Sequence, residues 1–338
     1  MTPTPTEPAT RRGEAVGWAD GVRTDVAGRI EELVEGLASD ADPGAVYVGW
    51  FAAAEVAGCP ARFRAGGVDG WDFPGWSPQS AAASVGRSAL ARCVDRSSEL
   101  PDPLGTVKAW MRDVRSSPTS YVAEWVTHLS QTGDRIGLAA TAALAARWIA
   151  GFVRVVGWPF PEKLALVVDD PDSPSARRGP PPWRPRLSTR RVPVSVASKP
   201  DAIAGTVAPS GRFDVMFHRP NSRDDLALAE RAAFEATAAS LAIGIVPAHV
   251  VLSAADTGER LRFPVDDPLL TRGADQVVEV IRHRLRAAEP LAPGTTEFDD
   301  ATPGPACRYC PTADDCGPGQ QWLARPRRHN GLPVVSLG

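Results

Sequence analysis

The chain lacks an uninterrupted hydrophobic run long enough to cross a bilayer. Of its 338 residues, 43% are hydrophobic, but its most apolar stretch, residues 136–156, is interrupted by Arg147 and Arg154. A membrane-spanning helix needs about 20 consecutive apolar residues. The first residues also lack the apolar core of a secretory signal. The sequence therefore predicts a cytoplasmic protein without a membrane partner, in which residues 136–156 form a buried helix.

A strong charge of either sign is also missing. The formal net charge is −3, and lysine occurs only at Lys108, Lys163 and Lys199. If the partner is nucleic acid, a local basic surface must hold it, because the whole molecule is not basic. The phosphate-binding pattern Gly-x4-Gly-Lys-Ser/Thr does not occur, so the sequence encodes no ATPase of that kind.

Cysteine is scarce, yet three of the five cysteines lie close together in the sequence. Cys307, Cys310 and Cys316 follow the spacing C-x2-C-x5-C in a segment rich in proline and glycine. Such a spacing is typical of a metal centre, and a cluster of cysteines in a cytoplasmic protein more often binds metal than forms disulfides. Zinc and cubane iron–sulfur sites both take four thiolates, so a fourth ligand is required.

Two cysteines are candidates for the fourth ligand. Cys93 lies inside a helical pattern, where a buried thiol is the usual interpretation. Cys59 follows the end of a predicted helix, in the context Cys-Pro-Ala-Arg-Phe. We therefore predict that Cys59 completes the set. An iron–sulfur cluster is the first expectation, and zinc remains the alternative because sequence alone does not separate the two.

Hydrophobic periodicity predicts a mixed α/β chain whose first half is mostly helical. Helical patterns cover residues 20–39, 46–57, 80–96, 105–115, 118–130, 134–155, 224–243 and 274–288. Strand patterns cover residues 164–168, 192–197, 202–207, 212–218, 249–253 and 260–264. This order predicts a mixed sheet flanked by helices.

Five regions follow from these patterns. We expect a disordered tail at 1–15, a mainly helical part at 16–160 with the first cluster cysteine, and an α/β core at 161–290. A Cys-rich segment at 291–325 and a tail at 326–338 complete the chain. Within the core, residues 169–191 are rich in proline and arginine. We predict no packed element there, because proline fixes φ and removes a hydrogen-bond donor.

The cysteine layout resembles the iron–sulfur branch of the RecB-like PD-(D/E)XK nucleases, which includes AddB-type subunits and CRISPR-associated exonucleases. One cysteine in a Cys-Pro-x-Arg-Phe context lies far from a C-terminal C-x2-C-x5-C. The resemblance covers roughly residues 46–323. It implies a restriction-endonuclease-like mixed sheet flanked by helices, and a 4Fe–4S cluster that staples the two ends of the domain through Cys59, Cys307, Cys310 and Cys316.

The nuclease chemistry of that family requires an Asp that opens one strand and an acid-x-Lys on the next, with Mg²⁺ held by the carboxylates. Lys199-Pro200-Asp201 supplies the first Asp. A four-residue hairpin loop would place Asp201 opposite His218. The acid-x-Lys position then reads Met216-Phe217-His218, and Asp214 lies nearer the turn. Asp201, Asp214 and His218 are thus a degenerate catalytic set, and Mg²⁺ is expected only if activity remains.

Two further family motifs are altered. Gly86-x3-Leu90 replaces the upstream Gly-x3-His, and Glu230-x3-Phe234 replaces Gln-x3-Tyr. Together with the missing lysine, these changes predict that the catalytic centre has been lost. An active enzyme would need a relocated carboxylate, for which Glu230 or Glu235 are the candidates.

Candidate DNA contacts lie in two places. Trp183, Arg184 and Arg186 belong to the Arg/Pro-rich segment, where arginine neutralises phosphate and an aromatic ring stacks on an unpaired base. Arg62 and Arg64 follow Cys59. The alternative is that the first group forms a solvated loop whose arginines balance neighbouring aspartates.

These observations predict a catalytically degenerate DNA-binding protein for repair, recombination or defence, working beside a helicase or nuclease partner. One alternative is a working Mg²⁺-dependent DNA exonuclease or endonuclease with relocated ligands. The other is a metal-stapled protein-interaction module without a role on DNA.

Overall fold

A computed structural model describes most of the chain, and every structural statement below refers to the residues it describes. These are 11–36, 46–65, 78–94, 99–116, 121–168, 176–177, 186–188, 192–208, 211–219, 225–254, 256–287, 296, 298–304, 307, 310 and 312–324.

The first half of the chain is mainly helical. Asp134 caps the helix Arg135–Val156 by accepting a hydrogen bond from the Gly137 backbone N–H, and Gly157 ends this helix at φ 92°, a conformation that glycine adopts without strain. The helices are α1 (Arg11–Glu35), α2 (Trp50–Gly58), α3 (Pro60–Ala65), α4 (Pro78–Val94), α5 (Pro103–Ser116), α6 (Tyr121–Gln131) and α7 (Arg135–Val156).

The second half contains most of the strands, which form two sheets together with an early strand, β1 (Val46–Val48). The other strands are β2 (Leu164–Val167), β3 (Ala176–Arg177), β4 (Arg186–Ser188), β5 (Pro193–Val196), β6 (Ala202–Gly205), β7 (Phe213–Arg219), β8 (His249–Ala254) and β9 (Arg260–Pro264). The larger sheet has the order β3-β2-β6-β7-β8-β9, and the smaller one has the order β1-β5-β4.

Strand orientation in the larger sheet is mixed. Strands β2, β6 and β7 form an antiparallel meander, and β8 runs parallel to β7. Helix α8 (Asp225–Ile243) makes the crossover between β7 and β8, as a parallel connection requires. Strand β9 then returns antiparallel to β8. The prediction of a mixed α/β chain is confirmed.

The two faces of the larger sheet are covered by different helices. On one face, Met216 and Val251 belong to a buried apolar cluster with residues of α4, α5, α6 and α7. On the other face, Val215 and Val250 pack with residues of α8 and with the start of α9 (Asp267–Ala287). This alternation follows the two-residue period of a strand. A third cluster joins α1, α2, the smaller sheet and α9.

Helix α7 is long and apolar enough to cross a membrane by length and composition alone. In the structure it packs against α4 and α5. Trp148, Ile149 and Phe152 are at most 2% exposed within the cluster on the α7 side of the sheet. The helix therefore lies in the protein core, as its sequence predicts.

Several predicted elements are corrected. Helix α1 begins at Arg11, so residues 11–15 are helical instead of tail, and residues 46–48 form β1 instead of the start of a helix. Two short strands, β3 and β4, lie within the segment for which we predicted no packed element. One mixed sheet was predicted, whereas the structure has two, and β5 pairs with β1 in the smaller one.

The hairpin of β6 and β7 also differs in register from the prediction. Ala202 pairs with Met216 and Gly205 with Phe213, which is one residue away from the register that would place Asp201 opposite His218. The connection is longer than the four residues assumed. Gly205 adopts φ 109°, a conformation in which a Cβ would collide with the Arg212 carbonyl, and the Thr206 N–H donates to that carbonyl.

Candidate metal centre and the buried carboxylate

The C-terminal cysteines lie in a succession of tight turns. The Cys307 N–H donates to the Gly304 carbonyl at 3.0 Å, the Cys310 N–H to the Cys307 carbonyl at 3.3 Å, and the Cys316 N–H to the Thr312 carbonyl at 3.1 Å. Each turn folds the chain back within three or four residues. Cys316 then caps α10 (Gly317–Leu323), the last helix described.

Cys59 reaches the same region from the N-terminal part. It lies between α2 and α3, and its carbonyl accepts a hydrogen bond from the Phe63 N–H. Cys59, Cys307, Cys310 and Cys316 all line one small cavity of about 20 Å³ that opens to solvent. The structure thus brings together the four predicted ligands from positions almost 250 residues apart in the sequence.

Three of the four sulfurs have polar neighbours. The Gly304 N–H donates to the Cys307 sulfur and the Gly319 N–H donates to the Cys316 sulfur, each at 3.3 Å, and the Thr312 hydroxyl lies 3.4 Å from the Cys310 sulfur. Hydrogen bonds to sulfur stabilise the thiolate form, which is the form that binds metal.

Glycine at position 319 leaves space between two of these sulfurs. A Cβ at this position would lie 3.2 Å from the Cys316 sulfur and 3.8 Å from the Cys307 sulfur. Both sulfurs therefore face the same side of the Gly319 backbone, which is buried. The donor set and this space fit an inorganic group bound by thiolates.

The described cysteines are not arranged around a single ion. Within the described part of the chain, no three Cys, His, Asp or Glu side chains lie close enough to hold one metal ion. The fifth cysteine, Cys93, is elsewhere: it lines a separate cavity between α4 and α5 with Arg92 and Trp110.

Charged side chains join the Cys-rich segment to the helices beside it. Arg64 of α3 donates two hydrogen bonds of 2.5 Å to the carboxylate of Asp300, and its guanidinium also lies 3.1 Å from Nδ1 of His283 on α9. The hydrogen bonds from Arg64 hold the pKa of Asp300 below its usual value. Asp300 is thus an ionised anchor for the segment.

Positive charge is concentrated near this anchor. Arg62 lines the cysteine cavity, and the Arg284 guanidinium lies 4.2 Å from the centre of the Phe63 ring. Burial lowers the pKa of His283, and the positive charges of Arg64, Arg286 and Arg282 lower it further, against the opposing effect of Asp300. The ends of α3 and α9 therefore form a basic region next to the cysteines.

Asp201, the predicted first catalytic carboxylate, is 4% exposed. Its Oδ1 accepts a hydrogen bond from the guanidinium of Arg87 on α4, and its Oδ2 accepts one from the His218 backbone N–H at 2.5 Å. A buried carboxylate requires a counter-charge. Here the Arg87 guanidinium supplies it.

His218 is also unsuited to replace the catalytic lysine. Its ring is packed against Trp148 and Phe152, with centroids 5.3 and 5.6 Å away, and Nδ1 lies 2.8 Å from the Ser253 hydroxyl. Burial lowers the pKa of His218 to about 4, although Asp201 opposes the shift. The imidazole is therefore neutral at pH 7 and supplies no positive charge.

Asp214 lies apart from Asp201. It pairs across the sheet with Ala204, three residues and therefore about 10 Å along the strand from Asp201. Its carboxylate contacts His249 Nδ1 at 2.9 Å and Arg262 at 3.0 Å. The structure does not bring the two predicted catalytic aspartates together.

The two glutamates considered for a relocated site differ in environment. Glu235 on α8 is 4% exposed, accepts a hydrogen bond from the Ser198 hydroxyl at 2.7 Å, and lies 3.7 Å from Arg231. Burial raises its pKa to about 7, opposed by Arg231 and Ser198. Glu230 is half-exposed and accepts a hydrogen bond from Gln276.

Of the predicted DNA contacts in the Arg/Pro-rich segment, Trp183 and Arg184 lie outside the described residues. Arg186 is described in its backbone alone, in β4. Arg62 and Arg64 are described, next to the cysteines. Sequence reasoning missed Arg87 and Asp300. Arg87 gave a weak signal, since it is the one charged residue within 81–91, an otherwise apolar or small run.

No protein-family model and no curated protein matches the chain.

Proposed function

We propose that this protein is a DNA-binding member of the RecB-like PD-(D/E)XK class, with an iron–sulfur cluster and an inactive nuclease centre. The observation that carries the proposal is the convergence of Cys59, Cys307, Cys310 and Cys316 on one cavity. The working context would be DNA repair, recombination or defence, beside a helicase or nuclease partner.

The metal proposal rests on the spacing and surroundings of the thiols. The four thiols surround a shared cavity, and backbone N–H groups donate to the Cys307 and Cys316 sulfurs. Four thiolates suit a cubane iron–sulfur cluster, and zinc takes the same set. When bound, the cluster would supply a cross-link between the two ends of the domain.

The order of elements supports the finer fold assignment. Asp201 immediately precedes β6, and an antiparallel hairpin leads to β7. Helix α8 and the parallel strand β8 follow. This is the frame that the resemblance implies: an Asp opening one strand, a hairpin, and helices flanking a mixed sheet.

The loss of catalysis is supported by Arg87. Its guanidinium contacts the one carboxylate that keeps the family position, and the neighbouring candidates do not converge there. Asp214 is paired with His249 and Arg262 instead. An arginine cannot activate water as a bound metal does.

DNA binding is supported by the basic region at the ends of α3 and α9. Arg62, Arg284 and Arg286 lie on these two contacting helices, and Arg62 lines the cysteine cavity, whereas Arg282 is paired with Glu279. Such a region neutralises phosphates in a protein whose net charge is not basic. Cross-linking by the cluster would fix this region relative to the core.

The first test is anaerobic purification followed by iron, sulfide and zinc analysis and a visible spectrum. The wild type should contain about four irons per chain, the content of a cubane cluster. Cys59→Ser should lose them, while Cys93→Ser, the matched control, should retain them. About one zinc per chain would mean that a zinc ion, and not a cluster, is bound by the cysteines. The absence of both metals would refute the metal centre.

The second test separates the three functions. Fluorescence anisotropy with single- and double-stranded DNA should give an affinity that falls steeply with salt, without cleavage in Mg²⁺ or Mn²⁺. Metal-dependent cleavage abolished by Asp201→Ala would instead identify a working nuclease. If the protein has no affinity for DNA, the remaining hypothesis is a metal-stapled protein-interaction module.

A further inference from the structure

In the part of the chain that the structure describes, helices cover only part of one face of the larger sheet. Helix α7 lies over β7 and β8, with Trp148 and Phe152 against His218. Strand β9 lies beyond this cover, at the edge of the sheet. Its register pairs Arg262 with Val251, which faces α7. Because paired residues project to the same face, Arg260 and Arg262 point to the α7 side of the sheet.

The end of α7 brings another arginine to this surface. Gly258 forms part of the turn between β8 and β9, and a Cβ at this glycine would lie 3.3 Å from Cδ of Arg154. The side chain of Arg154 therefore runs along the turn that leads directly into Arg260. Arg147 lies two helical turns earlier on α7 and is exposed, as Arg154 is.

These arginines are mostly not neutralised. Among the described residues, Arg154 and Arg260 have no carboxylate within 4.0 Å, and Arg262 contacts Asp214 at 3.0 Å while its side chain is 54% exposed. In sequence, the acids that precede Arg260 are Asp256 and Glu259, in the turn itself. The open face thus carries three arginines on a rigid frame of helix and strand.

The spacing of the arginines suits a chain of phosphates. Arg260 and Arg262 are two residues apart on one strand and therefore about 6.7 Å apart. That is roughly twice the 3.4 Å axial rise per phosphate of one DNA strand. We propose that Arg154, Arg260 and Arg262 form a phosphate-binding surface on which a DNA strand lies along β9. This inference rests on the proposed DNA binding and adds a contact surface separate from the basic region near the cysteines.

The test compares two double variants that remove equal charge. Arg260→Gln/Arg262→Gln should reduce the slope of log affinity against log salt by about 2, since each phosphate contact contributes about 0.9. Arg29→Gln/Arg272→Gln removes two charges from α1 and α9, which belong to the layers on the opposite face. That variant should keep the wild-type slope. Arg260→Lys/Arg262→Lys should also keep it, because lysine still neutralises phosphate.

Thermal unfolding of each variant checks that the compared proteins are folded. Arg154→Gln alone should lower the slope of log affinity against log salt by about 1. Equal slopes for the two Gln double variants would refute the phosphate-binding surface but not the proposed DNA binding. Absence of any salt-dependent DNA affinity in the wild type would overturn both. Binding to phosphatidylserine vesicles that is lost in Arg260→Gln/Arg262→Gln, with unchanged DNA affinity, would assign the surface to a membrane and refute the inference.

Discussion

Gly319 and Arg87 influence the two candidate centres in opposite ways. Gly319 provides space beside the sulfurs of Cys307 and Cys316 because it has no side chain. Arg87 supplies a cation at Asp201. Removing one partner of such a buried ion pair costs about 3–5 kcal/mol, because the other charge stays buried and unpaired. Gly319 thus leaves room for a bound group, whereas Arg87 neutralises Asp201 without a bound metal ion.

We predict that Gly319→Ala reduces retention of the metal group. The new methyl carbon would lie 3.2 Å from the Cys316 sulfur, closer than ordinary van der Waals contact, and would occupy the space beside the Cys316 and Cys307 sulfurs. Gly317→Ala is the matched control, since a Cβ there meets nothing within 4 Å. Iron per chain after anaerobic desalting should fall at least about twofold in Gly319→Ala. Equal iron content in both variants would show that this space is not used.

We predict that Glu235→Gln changes how stability depends on pH. The folded protein holds the Glu235 proton up to a pKa of about 7, whereas the unfolded chain releases it near the ordinary glutamate pKa of 4.5. Between these values the folded state binds more protons, so the wild-type free energy of unfolding falls as pH rises. The glutamine side chain of the variant has no such proton to lose. The stability of the variant relative to wild type should therefore rise by about 3 kcal/mol from roughly pH 4.5 to 7.5.

Urea unfolding at intervals across this pH range measures that difference. Comparing the two proteins removes the contribution of His218, whose lowered pKa acts in the opposite direction as pH falls from 6.5 towards 4. Glu230→Gln on the same helix removes an equal charge from a half-exposed carboxylate. A stability difference that stays constant with pH for Glu235→Gln would contradict the prediction.

At the scale of elements, local signals predicted more than long-range ones. The bounds of β9 were predicted as the structure has them, because a Thr-Gly turn separates the apolar run of β8 from the alternating run of β9. The register of β6 and β7 was missed by one residue, since Gly205 extends the connection in a way that its sequence does not announce. The pairing of Arg87 with Asp201 joins residues 114 positions apart, and no local pattern indicates such a partner.

We predict that Asp300→Asn loosens the attachment of the Cys-rich segment to α3. The variant loses the charge that Arg64 binds through two hydrogen bonds, and charge-assisted bonds are roughly twice as strong as neutral ones. The variant should therefore lose iron to a chelator faster than wild type does. The difference in rate between the two proteins should shrink at high salt, which weakens the Arg64–Asp300 ion pair of the wild type. Asp299→Asn is the control, because the Asp299 carboxylate is exposed and, among the described residues, accepts hydrogen bonds only from Thr296. Equal release rates in the two variants would refute the anchor.

At the scale of the whole molecule, the core and the Cys-rich segment are held by different forces. The described residues of the three buried apolar clusters include none from 296 to 324. Among the described residues, Asp300 ties that segment to Arg64, and the cysteines of the segment share a cavity with Cys59. A cross-link between Cys59 and Cys307 would close a loop of roughly 250 residues. The lost conformational entropy would raise the free energy of the unfolded chain by an amount on the order of 5 kcal/mol.

We therefore predict that removing the metal releases the C-terminal segment and leaves the α/β core folded. Limited proteolysis of the chelated protein should cleave within 296–324 at least about tenfold faster than in the metal-bound protein, because local opening exposes segments that lack apolar burial. The fragment that ends before residue 296 should persist, and circular dichroism should keep most of its helical signal. Cys93→Ser should behave as wild type in both states, whereas Cys59→Ser should be cleaved rapidly without chelation. Simultaneous loss of the core and the segment on chelation would mean that the cross-link holds the whole fold together.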